Sequence, residues 1–289
     1  MAVNTNANSE AGSVVRATNR ARSRSRIHLF RIGEEIPKAA YAIIAAASFI
    51  IPIALWCYFT YSGKANSLVL PTPTRVFTAA IRLWQDGTLL PNIQISVYRI
   101  GMGFLFSAIL AIPMGILMGA YKTAEAAHEP FVGFVRYVPV PALIPLVMVV
   151  AGIGEPAKIL LIFIGTYFQM VLVVADVTRK VPKDLLCAAR TLGANKFQLL
   201  FNVLLPATLP GLMDTCRTMI GWAWTYLVIA EVVATDSGLG FSLIEAQRFM
   251  RTDELYVGIF TLGFLGIATD MLFKFVQPRL LPWAETQRS

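Results

Sequence analysis

The chain has 289 residues, 56% of them hydrophobic and 15% charged, and a mean hydropathy of +0.62. That balance is too apolar for an ordinary soluble domain and fits an all-α polytopic membrane protein. The net charge of +8 calls for no nucleic-acid partner, because the basic stretch at residues 22–26 reads as a cytoplasmic topology signal beside anionic lipid.

Residues 1–38 form a basic tail rich in Asn, Ser, Ala and Arg, expected to be disordered up to about Arg31. No cleaved leader is expected, since the first apolar run begins only after Lys38 and is long enough to span. A transmembrane region of residues 39–283 follows, then a short tail, 284–289. Lys38 and Lys64 bracket 25 uncharged residues, Arg99 and Lys122 bracket 22, and Arg136 and Glu155 bracket 18, against the roughly 20 needed to cross a bilayer. These are spans one to three. Between the first two, Val76, Ala79, Ala80, Leu83 and Trp84 recur at helical spacing, as in an amphipathic helix packed over the bundle. Span two ends on Gly115 and Gly119, a pair that permits close helix approach.

Span three opens with Pro139, Pro141 and Pro145, which remove backbone donors and disfavour a straight helix. Irregular backbone at that depth is tolerated only in a protein interior or beside a watery cavity, so Pro139 and Pro141 are candidates for a transport path or for a kinked packing element. Span four covers residues 158–176, span five 206–234 and span six 255–276. On span five Asp214, Arg217, Gly221 and Trp224 share a face. Either Asp214 and Arg217 pair within the helix, or Arg217 is a positive site on a path for an anion. Beyond it, residues 236–241 read as a tight turn and 242–250 as a short interfacial helix, with Asp253 and Glu254 capping span six.

The most ordered polar stretch is an elbow at residues 179–206, between spans four and five. Pro182 suits the first turn of a helix and Asp184 its positive end. Leu185, Ala189 and Leu192 fall on one face, Gly193 supplies a left-handed terminator, and a second short helix is expected from Asn195 into Pro206. By the positive-inside rule, seventeen Lys and Arg on the side of the tails and elbow against six opposite place the elbow and both termini in the cytoplasm. Arg99 and Arg217 lie in or beside spans and are not counted. Cys57, Cys187 and Cys216 show no disulfide or zinc spacing, and His28 and His128 have no ligand-like companions.

The spacing Cys187-Ala188-Ala189, Gly193, Val203-Leu204-Leu205-Pro206 resembles the EAA loop of permease subunits in binding-protein-dependent ABC importers, with Cys187 where the family carries Glu. The resemblance covers residues 68–283 and has the flavour of the nitrate, sulfonate, taurine and bicarbonate branch. It implies a bacterial-type inner-membrane permease whose elbow, through Leu185, Cys187, Ala188, Ala189, Leu192, Gly193, Leu205 and Pro206, couples to ATPase subunits. It further implies a second permease copy, two ABC ATPases, an extracytoplasmic solute-binding protein and a small anionic solute, though a neutral or cationic pyrimidine-type solute also fits. No phosphate-binding G-x-x-x-x-G-K-[ST] motif occurs in the chain, so ATP and Mg belong to the partner subunit, and this chain is a transport subunit without a cofactor rather than an enzyme. An ATP-independent secondary transporter or channel is the competing reading. It predicts interrupted helices in both halves, whereas the prolines concentrate in span three.

Overall fold

The computed structural model describes residues 37–232 and 236–283. Of the tail expected at 1–38, residues 1–36 lie outside the described residues, as do the tail expected at 284–289 and the end of the fifth span; Lys38 belongs to the first helix. The chain divides into two compact units, residues 1–55 and 56–289. The described part of the first is helix α1 (Lys38–Tyr61) as far as Leu55. Beyond Lys38 this helix has no charged residue, and it carries Pro52. Its 24 residues reach about 36 Å at about 1.5 Å each, enough for a hydrocarbon core of about 30 Å.

Among the described residues of the second unit, helices joined by short turns are the regular structure. Helix α2 (Pro73–Gln85) starts on a Thr72 cap with Pro73 in its first turn. It is the expected amphipathic helix: Val76 and Ala79 are buried with Val257. Trp84, expected on that face, is exposed. Helix α3 (Leu89–Ala120) is 32 residues long. It starts ten residues before Arg99, so the second span is longer than the charge-free window indicates and holds Arg99 inside it. Helices α4 (Lys122–Val135) and α5 (Val140–Ala151) meet at a bend of 100°; the expected third span, between Arg136 and Glu155, corresponds to α5 alone, and α4 lies where a loop was expected. Pro139 cannot donate, Val138 before it is pushed out of the helical region, and Pro141 falls in the first turn of α5, where a missing N–H costs nothing. Helix α6 (Glu155–Arg179) is the fourth span.

The elbow comprises α7 (Lys183–Thr191) and the single turn α8 (Lys196–Gln198), which runs through a π-helical stretch, Leu199–Leu204, into α9 (Leu205–Val232). The second elbow helix therefore does not stop at Pro206. The wide turn, with the Leu205 N–H bonded to the Leu200 carbonyl, admits the proline ring without a break. Helices α10 (Leu239–Arg248) and α11 (Thr252–Leu280) complete the chain. Five helical segments, α1, α3, α6, the continuous run from α8 to α9, and α11, are long and apolar enough to cross a membrane, and the bent pair makes up to six.

The closest packing in this unit is along α3 and α6. A Cβ on Gly103 would lie 2.7 Å from the Ile162 side chain, and one on Gly115 2.6 Å from that of Val174. One on Gly119 would strike Thr178. Ser107 fits the same seam and donates to the Phe163 carbonyl at 3.1 Å. Small residues about one turn apart thus let two backbones approach closely enough for dispersion and interhelical hydrogen bonds to hold them where water provides no drive. The seam is filled on either side by Met118, Met170, Val171, Leu212 and Met219 toward the elbow and by Ile100, Leu161, Ile162 and Leu227 toward the other end.

Candidate functional site

The elbow is built by local chemistry. Helix α7 begins after Pro182, which serves as its cap rather than its first turn, with Asp184 near the start and Arg190 near the end. At its far end the Ala194 N–H reaches the Ala189 carbonyl at 3.0 Å and the Gly193 N–H the Arg190 carbonyl at 2.9 Å. These two bonds form a Schellman motif, and they require the left-handed φ of +86° at Gly193. Asn195 and Gln198 then cap each other reciprocally at 2.9 Å. The turn is rigid, and it holds apolar side chains in the open: Leu192 is 88% exposed and Phe197 76%, with Leu185 and Phe201 also exposed. Cys187 and Ala188 are exposed beside them and Ala189 is half-buried, whereas Leu205 and Pro206 are half-buried at the root of α9. Large apolar side chains exposed together on one elbow make it a candidate interaction surface.

On α9 the polar side chains reach across to α11. Arg217 bonds through Nε to Asp270 on α11, and the Asp214 carboxylate accepts from Gln277 Nε2 at 3.1 Å. Trp224 is buried and donates to Thr269 at 3.3 Å. Asp214 and Arg217 thus both take part in a ladder between helices, because the partners on α11 offer carboxylate and amide groups at matching heights. Asp270 also holds Lys274 at 2.8 Å. Gly221, on the same side, has open space over it.

The bend between α4 and α5 borders a cavity of about 190 Å³, lined by Tyr137, Val138 and Pro139 from the bend, Gln169 from α6 and Tyr226 from α9. Pro139 lies in this lining. Pro141 and Arg217 do not. The backbone irregularity that the prolines impose thus coincides with a cavity carrying polar side chains, the setting in which such backbone is tolerated at membrane depth.

A site that the sequence did not expose lies at the opposite end of the bundle from the elbow. Arg99 is 0% exposed, as is Glu231, and their side chains meet at 2.6 Å. The guanidinium also grips Glu155 through Nε at 2.7 Å and Nη2 at 2.6 Å, and donates to the Ser237 carbonyl at 2.9 Å and hydroxyl at 3.2 Å. All five of its donors are used. Glu231 accepts in addition from Ser96 at 2.7 Å and from the Gly240 N–H at 2.7 Å. Lys158 is buried in α6 and bonds Glu155 at 2.8 Å. Two cations and two carboxylates thus form a neutral cluster joining α3, α6, α9 and the start of α10. Gly238 is held there at φ +110°, and a Cβ on it would overlap the Glu231 carboxylate and Arg99 Nη1. The available signal was an Arg inside an apolar helix with Ser one turn before it. The partners, 56 and 132 residues away, follow no spacing rule.

No group of three or more His, Cys, Asp or Glu suited to a metal occurs among the described residues. The apolar helices, the bent pair and the rigid elbow between two spans define a polytopic α-helical membrane transport component. The chain belongs to the binding-protein-dependent transport system inner membrane component family, whose model matches residues 111–282. It is 34% identical over 231 residues to the aliphatic sulfonates transport permease protein SsuC of Bacillus subtilis (strain 168), covering 80% of this chain and 84% of that one. It is 28% identical over 263 residues to the taurine transport system permease protein TauC of Escherichia coli (strain K12), covering 89% and 96%. Its fold is shared with an inward-facing conformation of the MetNI methionine ABC transporter, at a TM-score of 0.57 and 22% identity over 67% of this chain and 94% of that one. The chain is a multi-pass inner-membrane permease subunit of an ABC importer.

Proposed function

We propose that two copies of this permease enclose a path for a small anion of the sulfonate, taurine, nitrate or bicarbonate kind, driven by ATP hydrolysed on separate subunits docked at the elbows. The observation that carries this reading is the elbow itself, with Leu192 and Phe197 presented to solvent on a turn fixed by Gly193. An apolar knob on a stiff mount transmits displacement, because the mount does not yield before the attached spans do. The elbow connects directly to α6 and α9, and these pack closely: a Cβ on Gly165 of α6 would lie 2.7 Å from the Tyr226 ring of α9. Movement of the elbow therefore changes the walls of the bend cavity, which Gln169 and Tyr226 line. Those residues and the bend, rather than Arg217, are the better path candidates, since Asp270 already compensates the Arg217 charge. A binding protein supplies solute at the face opposite the elbow. The anionic class rests on the names of the sulfonate and taurine relatives.

The test is uptake of labelled taurine, an alkanesulfonate, nitrate and bicarbonate into proteoliposomes holding the assembled complex with its binding protein. ATP-dependent accumulation of one of them is expected. Uptake that proceeds equally without ATP supports the channel or secondary-transporter reading instead.

A further inference from the structure

Helix α7 has a second face. Lys183, Leu186 and Arg190 fall on the side away from Leu192 and line a cavity of about 500 Å³ that the ends of α3 and α6 and residues 196–204 close off. This is within the roughly 300–1,000 Å³ of small-molecule sites. Lys122, Arg179 and Lys196 line it too. Two of these cations are balanced: Arg179 by Glu125 at 2.8 Å and Asp176 at 2.6 Å, and Lys122 by Glu125 at 2.6 Å. The side chains of Lys183, Arg190 and Lys196 have no acidic or hydrogen-bonding partner among the described residues, and no acidic residue lines the cavity. Three uncompensated like charges around one cavity repel each other until an anion enters. The remaining wall includes Leu186, Leu199, Leu200 and Leu204, so the same space offers a charged rim and an apolar floor.

We infer that this cavity behind the elbow binds a phosphate-type oxyanion, carried by the headgroup of an anionic lipid or free in solution. Several N–H donors on flexible stems meet the oxygens of such a group from different sides, while the leucines accept an adjoining acyl chain. The inference goes beyond transport and does not depend on ATPase docking, which uses the opposite face of α7. Occupancy would hold α7 against the ends of α3 and α6 and so set how firmly the elbow is mounted.

The full-length permease in nanodiscs, which expose both leaflets, tests this. One arm measures by mass spectrometry the phosphatidylglycerol retained from a mixture with phosphatidylcholine. The other measures binding of radiolabelled inorganic phosphate by equilibrium dialysis. K183Q/R190Q/K196Q is expected to lose affinity by about fivefold per cation removed in at least one arm. A matched control, K180Q/R248Q/R279Q, alters cations that line neither this cavity nor the bend cavity and should stay within about twofold of the unaltered protein. Charge-retaining K183R/K196R should keep binding, which separates loss of charge from loss of fold. Loss in the lipid arm alone assigns the site to a headgroup, and loss in the phosphate arm assigns it to a free anion. Equal retention of both probes by the Gln variant, or a loss no greater than that of the control, overturns the inference.

Discussion

At Arg99 the helix bundle holds a charge that is fully enclosed and fully bonded, and the penalty for disturbing it follows from that completeness. Arg99→Gln leaves Glu231, 0% exposed, without its cation and should lower stability by about 3–5 kcal/mol. R99M/E231Q should recover much of the loss in the same thermal-aggregation assay, since removing a whole buried pair is often near neutral. Gly238→Ala should also destabilise, because a Cβ there combines a positive φ with overlap of both charged groups. Arg217→Ala should be milder than Arg99→Gln, because Asp270 keeps Lys274 and the Arg217 side chain is 32% exposed. If the two single variants melt alike, the distinction drawn between the two sites fails. At this scale the sequence was least legible. Spacing along α9 placed Asp214 and Arg217 on one face but could not show that Gln277 and Asp270 of α11 come alongside, since register between helices is set by packing.

The elements were far more readable, because turns and caps are local. Gly193, Asn195 and Gln198 encode the elbow within a few residues, and the prolines at 139 and 141 encode the break between α4 and α5. What escaped notice was the continuity through Pro206, since a π-helical turn has no composition of its own. The Gly115 and Gly119 pair marked a close approach on α3, because only small residues permit one, but the partner, α6, came from the structure. Gly115→Val should force the seam apart and reduce the yield of folded permease. Gly193→Val should strain the left-handed turn by about 1–3 kcal/mol. Its effect should appear as weaker coupling of hydrolysis to uptake at normal membrane insertion; coupling equal to that of the unaltered protein would show that the turn is not required to be stiff.

For the whole molecule, the distribution of Lys and Arg over the loops predicts sidedness. In a variant without native cysteines, a single cysteine at Arg190 should be protected from an impermeant thiol reagent in intact cells and one at Asp86 should react. Labelling at Arg190 from outside would invert the topology. The central claim is that the exposed apolar face of the elbow is where ATPase subunits engage. Leu192→Asp places a carboxylate in that contact while touching nothing within the bundle, the native side chain being 88% exposed. The most direct measurement is the affinity of the purified ATPase for the reconstituted permease, with and without this change. The account predicts a loss of at least about 2 kcal/mol, roughly thirtyfold in Kd, with the permease otherwise folded. Unchanged affinity together with unchanged ATP-driven uptake would contradict it.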